Sequence, residues 1–300
     1  MNGINKFIEC LKVIKHRILF DPRKIDHVSD RVDTIYELLK IVNPIGEIPF
    51  AFGLQRMSQR ANSILLREVA RILECHGVSY WLDFGTLLGA VRHGGSIPWD
   101  DDIDISVMRS DYDGLVDLLR KELKGNNEFI VNKSDCIRVR VAETACQIDI
   151  FPFDEYAMSP TDARLFEKAY WKCCNSVKRD WNRLFTDGNV VVNVTSKEIG
   201  RMIGGLKSSF DGSVRVVLPG VECGFRHYLV RNKDWIFPVK KIPYEEREFF
   251  APRDPEMVLL QYYGDFMTYP ETIHPHADIR ARRTAKSYAL LSKILKEGEL

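Results

Sequence analysis

The chain has 300 residues, of which 45% are hydrophobic, and its 43 lysines and arginines nearly balance its 42 aspartates and glutamates. This length allows one large domain or two smaller ones, and the balanced charge argues against a general nucleic-acid-binding surface. Seven cysteines without a CxxC pair indicate reduced thiols rather than a disulfide framework. No apolar run reaches the roughly 20 residues of a membrane span, and the first residues make a poor signal peptide, so a cytoplasmic location is expected.

The N-terminal part of the chain is predicted to be helical. In residues 4–20 apolar side chains recur at helical spacing, with basic residues mostly off that stripe, and residues 28–42 repeat the apolar pattern. The first helix has two interpretations, peripheral attachment to the inner face of an anionic membrane or packing on the domain. The predicted organisation is a helical extension over residues 1–53 and one catalytic domain over residues 54–300.

The catalytic domain is predicted to contain both helices and strands. Helical periodicity and capping residues predict helices near 55–76, 87–92, 111–124, 159–185, 196–208, 255–263 and 278–297. Short apolar or alternating runs predict strands at 78–82, 129–132, 137–141 and 146–153, and a strand pair within 238–250. The section from 210 to 235 is predicted to be short strands and loops.

The stretch Tyr80–Val107, YWLDFGTLLGAVRHGGSIPWDDDIDISV, is the predicted functional centre. Asp100, Asp102 and Asp104 alternate along a predicted strand, so their carboxylates are expected on one face and Asp101 on the other. Three carboxylates this close repel one another and resist burial, and a hard divalent cation such as Mg2+ relieves both costs. The alternative, a solvated acidic loop, is disfavoured because apolar residues alternate with the acids.

A fourth acid and a turn extend the predicted site. Asp149 lies in the apolar strand CQIDIFPF, where a polar residue needs a partner, and a position beside the first acidic strand would supply one. Gly85-Thr86 is predicted to turn the chain into a short helix whose N-terminal amides suit a phosphate.

Carboxylates beside a phosphate site favour metal-assisted phosphoryl or nucleotidyl transfer. Asp102 and Asp104 are the leading metal ligands, and Asp100 is a third ligand or a supporting acid. Asp149 is either a ligand or the base that takes a proton from the acceptor hydroxyl. Arg92 has two interpretations, contact with a diphosphate or a surface salt bridge.

The segment GTLLGAVRHGGSIPWDDDIDISV resembles the signature of the LicD family in length and order. The later QIDIFPFD, and YYGDFMTYP followed by His274, are similar to that family's second and third blocks. The resemblance implies an α+β nucleotidyltransferase fold of the DNA polymerase β palm type, with a mixed sheet flanked by helices. It also implies transfer of a phospho-alcohol group from a CDP-activated donor to a sugar hydroxyl, with release of CMP and dependence on Mg2+ or alternatively Mn2+.

The resemblance further implies site residues and partners. The family's metal-binding acids and its Gly-Ser pair fall here on Asp100, Asp102, Asp104, Asp149 and Gly85-Thr86. The donor is CDP-choline in many bacterial members and CDP-ribitol in the fukutin branch. The acceptor is a carbohydrate of a cell-surface glycan, such as lipopolysaccharide or capsule, or its lipid-linked precursor, and no nucleic acid is expected.

Several residues are candidates for contact with the head group of the donor. The quaternary ammonium of choline prefers an aromatic cage, and each candidate could equally fill the core. The candidates are Trp81, Trp99, Trp171, Trp181, Tyr262 and Tyr263, with Trp99 first because it adjoins the acids. His274 either contacts a phosphate or the acceptor, or anchors the C-terminal loop.

The sequence also allows two other functions. One is a nucleotidyltransferase that adds NMP to a small acceptor, and the other is a non-catalytic glycan-assembly subunit, which the four intact acids disfavour.

Overall fold

The computed structural model describes residues 34, 44–123, 129–158, 214–220, 223, 230–270 and 284–297. The chain divides into two compact units, Met1–Ile48 and Pro49–Leu300. The first unit contains a 3-10 helix at Ile45–Glu47, and Thr34 is helical. The remaining parts of the helices predicted over 4–20, 28–42, 159–185 and 196–208 lie outside the described residues. Those helices, the membrane contact and the boundary at residue 53 stay predictions.

The second unit consists of a mixed sheet flanked by helices. Its described helices are α1 (Gly53–Cys75), α2 (Phe84–His93), α3 (Arg109–Tyr112), α4 (Leu115–Glu122), α5 (Lys233–Ile236), α6 (Pro255–Tyr263) and α7 (Ala285–Glu297). Its described strands are β1 (Tyr80–Leu82), β2 (Ile103–Met108), β3 (Phe129–Lys133), β4 (Ile137–Val141), β5 (Gln147–Met158), β6 (Val214–Pro219), β7 (Arg231–Asn232), β8 (Lys240–Tyr244) and β9 (Arg247–Ala251). The predicted α+β class is confirmed. None of the described helices is both long and apolar enough to cross a membrane.

The larger sheet has the strand order β1-β2-β5-β4-β3, with β6 also paired to β5 and β7 paired to β6. Strands β2 and β5 run parallel, and the other pairs in this sheet are antiparallel. Strand β5 is 12 residues long, so its first half can pair with β4 and its second half with β6. Strands β8 and β9 form a separate hairpin.

The apolar residues of β2 and β5 explain why these strands lie inside the sheet. The alternate positions Ile103, Ile105, Ile148 and Ile150 are fully buried. Burying one such side chain contributes about 1.5–3 kcal/mol. The two residues that lie between these isoleucines, Asp104 and Asp149, point to the opposite face.

Most predicted elements in the described part are confirmed within a few residues. These are the helix after residue 53, strands β3 and β4, the hairpin, and helix α6 with Pro255 at its first position and Gly264 at its end. The helix predicted over 111–124 is instead divided into α3 and α4, because the chain leaves the helix at Asp113-Gly114. Gly77 ends α1 with a φ of 71°, a left-handed conformation that glycine adopts at no steric cost.

The prediction that Gly85-Thr86 forms a turn is wrong. Both residues lie in the first turn of α2. The reason is the residue before the helix: the Asp83 carboxylate accepts a hydrogen bond of 2.8 Å from the N–H of Phe84 and caps the helix there.

The prediction of a strand through all three alternating acids is also wrong. Strand β2 begins only at Ile103, so Asp104 lies on the strand and Asp100 and Asp102 lie in the loop before it. The N–H of Asp100 donates to the carbonyl of Ile97, which closes a turn. The turn satisfies backbone groups that would otherwise need a neighbouring strand.

The β8–β9 hairpin holds the chain that leads into this acidic loop. Glu245, between the two strands, accepts two hydrogen bonds from Arg56, of 2.8 and 2.7 Å, and one of 3.0 Å from the N–H of Ser96. The N–H of Glu245 donates to the carbonyl of Gly94. Burial alone would raise the pKa of Glu245, but the hydrogen bonds from Arg56 and Ser96 outweigh it, and the pKa lies below the ordinary 4.5.

We expect Glu245→Gln to lower the free energy of unfolding by about 2 kcal/mol at pH 7, because three hydrogen bonds lose a charged acceptor. Since the folded-state pKa is lowered, this stabilisation is present above the unfolded pKa of 4.5 and is lost as the pH falls through the folded value. Urea denaturation at pH 7 and near pH 3 should show a difference from wild type that shrinks in acid. Glu246→Gln is the matched control, because its side chain is 85% exposed, and it should change stability by less than about 0.5 kcal/mol. Equal losses of unfolding free energy in the two variants would contradict a stabilising role for the hydrogen bonds to Glu245.

Candidate active site

A cavity of about 690 Å³ opens beside the start of α2, strands β2 and β5, and the end of α6. Its acidic wall is lined by Asp100, Asp102, Asp104 and Asp149. Two arginines and several aromatic side chains line the other walls. The structure therefore brings together the four acids that the sequence nominates, although they come from a loop and two strands.

The sheet register accounts for the central part of the acidic wall. Asp104 of β2 lies opposite Asp149 of β5 in the parallel pair, and Asp149 lies opposite Arg138 of β4 in the antiparallel pair. Three neighbouring strands thus place two acids and one guanidinium side by side. Arg138 was not predicted from the sequence, although its position between the buried residues Ile137 and Val139 is the same signal that singled out Asp149.

Helix α1 holds the acidic loop with three side-chain amides. Gln55 and Gln59 donate to the carbonyl of Asp100 at 2.6 and 2.9 Å, and Asn62 donates to the carbonyl of Asp101 at 3.0 Å. The spacing of four and three residues puts these amides on one face of the helix. Gln59 and Asn62 are each 1% exposed, and buried amides within an apolar stripe were the overlooked signal.

Asp101 is a further acid near the site, although the sequence predicts that its carboxylate lies on the opposite face of the strand. Carboxylate oxygens of Asp100, Asp101 and Asp102 all lie within 4.8 Å of one another. Asp101 is 1% exposed and is not among the described residues that line the cavity. The Asp101 carboxylate therefore lies close to two acids of the cavity wall.

Gly85 and Thr86 have different relations to the acids. A Cβ on Gly85 would lie 2.7 Å from Oδ2 of Asp100, so only glycine lets the helix backbone come this close. The hydroxyl of Thr86 is buried and accepts a hydrogen bond of 2.8 Å from the backbone N–H of Asp104. In this structure Thr86 therefore orients Asp104, whereas Gly85 lines the cavity.

The clustered acids have strongly perturbed pKa values. Burial raises the pKa of Asp104 well above its usual range, and the nearby carboxylates of Asp102 and Asp149 raise it further. Burial raises the pKa of Asp149 to about 6, although Arg138 opposes this shift through a 3.2 Å hydrogen bond from Nε to Oδ2. The other oxygen of Asp149, Oδ1, is buried and makes no hydrogen bond to any described residue. This excess negative charge, with a carboxylate oxygen available, fits a divalent cation with oxygen ligands.

Arg92 lies on the cavity wall with an exposure of 9%. Burial lowers the pKa of Arg92 to about 10, and its Nη1 donates to the carbonyl of Phe266 at 2.7 Å. The surface salt bridge considered for Arg92 is therefore wrong, because the side chain is buried. The guanidinium remains charged at neutral pH and faces the same cavity as the acids.

An aromatic wall lies next to the acids. The ring of Phe84 packs edge-on against Phe151 and Tyr262, with centroid distances of 5.1 and 5.4 Å, and Tyr262 contacts Tyr263 at 4.5 Å. Trp99 also lines the cavity. Of the predicted cage residues, Trp99, Tyr262 and Tyr263 are thus at the site.

The other predicted aromatic and histidine residues are not at the described site. Trp81 is fully buried in the core and donates to the Asp83 carboxylate at 3.1 Å. Trp171, Trp181 and His274 lie outside the described residues, so their roles stay predictions.

Residues 77–183 match the family model described as LicD/FKTN/FKRP, nucleotidyltransferase domain. The matched segment contains all four acids of the cavity wall. The resemblance inferred from the sequence is therefore confirmed over this segment.

Known relatives match different shares of the chain. A human protein named ribitol 5-phosphate transferase FKRP is 36% identical over 121 residues, which cover 36% of this chain and 24% of that protein. The lipopolysaccharide cholinephosphotransferase LicD of Haemophilus influenzae is 24% identical over 249 residues, covering 73% of this chain and 92% of that protein. Mannosyltransferase regulator 4 of Saccharomyces cerevisiae is 29% identical over 93 residues, covering 29% of this chain and 8% of that protein. The chain thus spans about a quarter of the length of the human relative.

Proposed function

We propose, from the match of residues 77–183 to the LicD nucleotidyltransferase domain, that this chain is a metal-dependent transferase. It moves a phospho-alcohol group, with phosphocholine favoured, from a CDP-activated donor to a sugar hydroxyl of a cell-surface glycan or its precursor, and releases CMP. The observation that carries the proposal is the convergence of Asp100, Asp102, Asp104 and Asp149 on one cavity within the matched segment.

The four acids would hold a divalent cation, Mg2+ or Mn2+, with Asp102 and Asp104 as its main ligands. The raised pKa values of Asp104 and Asp149 support this, because burial and then nearby carboxylates disfavour their charged forms, and a bound cation would offset both effects. When bound, such a cation neutralises charge that develops on the transferred phosphate and polarises its oxygens.

Asp149 is suited to take the proton of the attacking hydroxyl, as an alternative to binding the cation. Its pKa of about 6 leaves it mostly ionised at neutral pH and still close to the pH at which a base works best. Arg138 holds Oδ2 of this carboxylate, so Oδ1 is the oxygen left to accept the proton. Arg92, on the cavity wall, supplies a fixed positive charge for the donor diphosphate.

The aromatic wall favours choline over ribitol as the head group. A quaternary ammonium cannot donate a hydrogen bond and binds the faces of aromatic rings, which Phe84, Tyr262, Tyr263 and Trp99 can provide here. The acids next to this wall add attraction for a cationic group. The similarity to the Haemophilus cholinephosphotransferase over most of its length supports the same choice.

We expect CMP release from CDP-choline when the protein is incubated with CDP-choline, CDP-ribitol, CTP and ATP in separate reactions with Mg2+ and a glycan extract. Chromatography of the nucleotide products, with EDTA-treated reactions as controls, measures the outcome. Pyrophosphate from an NTP without CMP from either CDP-alcohol would identify a nucleotidyltransferase that adds NMP to an acceptor. No turnover of any donor would favour a non-catalytic assembly subunit.

A further inference from the structure

A buried ion pair lies near the acidic wall. Arg231 of β7 is 1% exposed, and its Nη1 donates at 2.7 Å to Oδ2 of Asp83, which is fully buried. Neither residue is among the described residues that line the cavity. A buried charge pair is costly to form, so its place beside the site calls for a reason.

Asp83 connects four elements of the catalytic unit. Besides the bond from Arg231, its carboxylate accepts hydrogen bonds from the N–H of Phe84 at 2.8 Å, from Nε1 of Trp81 at 3.1 Å and from the hydroxyl of Ser106 at 2.7 Å. These donors lie on α2, β1 and β2, and Arg231 lies on β7. The single carboxylate therefore sets the start of α2 relative to the strand that carries Asp104.

The same corner clamps the backbone of Asp104 from both sides. The N–H of Asp83 donates to the carbonyl of Asp104 at 3.1 Å. The N–H of Asp104 in turn donates to the hydroxyl of Thr86 at 2.8 Å. Between Asp83 and Thr86, Phe84 has a φ of 43°, a left-handed conformation that is sterically unfavourable for a bulky residue. The Asp83 cap on the Phe84 N–H helps to maintain that conformation, which places the ring of Phe84 and the backbone of Gly85 on the cavity wall.

Arg231 also balances the charge of Asp83. Without the guanidinium, the Asp83 carboxylate would be one more buried negative charge beside the acids. The guanidinium carbon lies 5.4 Å from the centre of the Phe84 ring and 5.1 Å from that of Phe153. Arg231 thus contacts the strained residue as well as its cap.

We propose that Asp83 and Arg231 are a positioning pair that fixes Asp104 and Gly85 in the geometry that binds the divalent cation. The pair acts through these residues and does not touch substrate. The inference rests on the proposed function, because it requires the acids to bind such a cation.

A second ion pair in the same unit provides a matched control. Arg109 donates to both oxygens of Asp154 at 2.9 and 3.0 Å, and both side chains are largely buried. Neither residue is among those described as lining the cavity. Loss of this pair should cost stability without moving the acids.

The test measures Mn2+ affinity by calorimetry for the full-length wild type, Arg231→Lys, Asp83→Asn and Asp154→Asn, with thermal unfolding to confirm that each is folded. Loss of a residue that supports metal ligands typically lowers affinity about 10–100-fold. We expect a loss of that size for Arg231→Lys and Asp83→Asn, with kcat reduced and the KM for the donor little changed. Asp154→Asn should lower the unfolding temperature but bind Mn2+ like the wild type.

Folded Arg231→Lys or Asp83→Asn protein with wild-type Mn2+ affinity would overturn the inference and leave the proposed function intact. A wild-type protein that binds no Mn2+ would overturn both. If both variants fail to fold, Ser106→Ala removes a single hydrogen bond to Asp83 and replaces the measurement. A Mn2+ affinity lowered about threefold or more would support the inference, and an unchanged affinity would overturn it.

Discussion

Asp104→Asn is expected to reduce turnover about a thousandfold or more, while the protein stays folded and is at least as stable as the wild type without divalent cations. A metal-centred site contributes several kcal/mol to stabilisation of the transition state, and each 1.36 kcal/mol is a factor of ten in rate. Stability should not fall, because burial and the carboxylates of Asp102 and Asp149 already disfavour the charged form of Asp104. Removing one like charge relieves this repulsion.

CMP release at saturating donor and Mg2+ measures the first effect, and urea denaturation in EDTA measures the second. Asp102→Asn should behave in the same way, because Asp102 lines the same wall. Asp113→Asn, at an exposed position between α3 and α4, is the matched control and should leave both quantities unchanged. Retention of more than a tenth of wild-type turnover by Asp104→Asn would contradict its proposed role in holding a divalent cation.

Gly85→Ala should lower kcat about a hundredfold with little loss of stability. The added Cβ would lie 2.7 Å from Oδ2 of Asp100 and 3.8 Å from Oδ2 of Asp104, so the Asp100 carboxylate has to move. A displacement of about 1 Å in a reacting constellation can cost about a hundredfold in rate. Stability changes little, because a side chain can rotate away and alanine is the better helix former by about 1 kcal/mol.

Gly114→Ala is the matched control for this substitution. Gly114 precedes α4 with an ordinary negative φ, and a Cβ there would meet no atom within 4 Å. We expect full activity from Gly114→Ala and a hundredfold difference between the two variants in a single kinetic assay. Wild-type kcat in Gly85→Ala would contradict the close approach of the helix backbone to the acids.

The acids of the site were predictable because their signal is local. Asp149 and Asp104 each lie between buried isoleucines, and such a pattern predicts a strand with one polar face. The same rule misplaced Asp100 and Asp102, since alternation alone cannot show where a ladder of hydrogen bonds begins. Here the carbonyls before Ile103 are satisfied by helix α1 instead of a neighbouring strand.

The pairings that hold the site were not predictable, because the two partners of each pair are far apart in the chain. Gln55 is 45 residues from Asp100, Arg231 is 148 from Asp83, and Arg56 is 189 from Glu245. No local pattern encodes such pairs. Single residues did carry local signals: Asp83 directly precedes an apolar helix, as a common N-cap does, and Gln59 and Asn62 are amides within an apolar stripe.

The most direct test of the proposed transfer asks which of the two phosphorus atoms of CDP-choline is attacked. Phospho-alcohol transfer requires attack at the choline-side phosphorus, and nucleotidyl transfer requires attack at the cytidine-side phosphorus. In this test water takes the place of the glycan acceptor: CDP-choline is incubated with the protein and Mg2+ in H2(18)O, and the masses of the products are measured by mass spectrometry. Attack at the choline-side phosphorus leaves CMP as the departing group and puts 18O into phosphocholine. We predict labelled phosphocholine, unlabelled CMP, and loss of both products in Asp104→Asn. Label in CMP would show attack at the cytidine-side phosphorus and would contradict the proposed transfer.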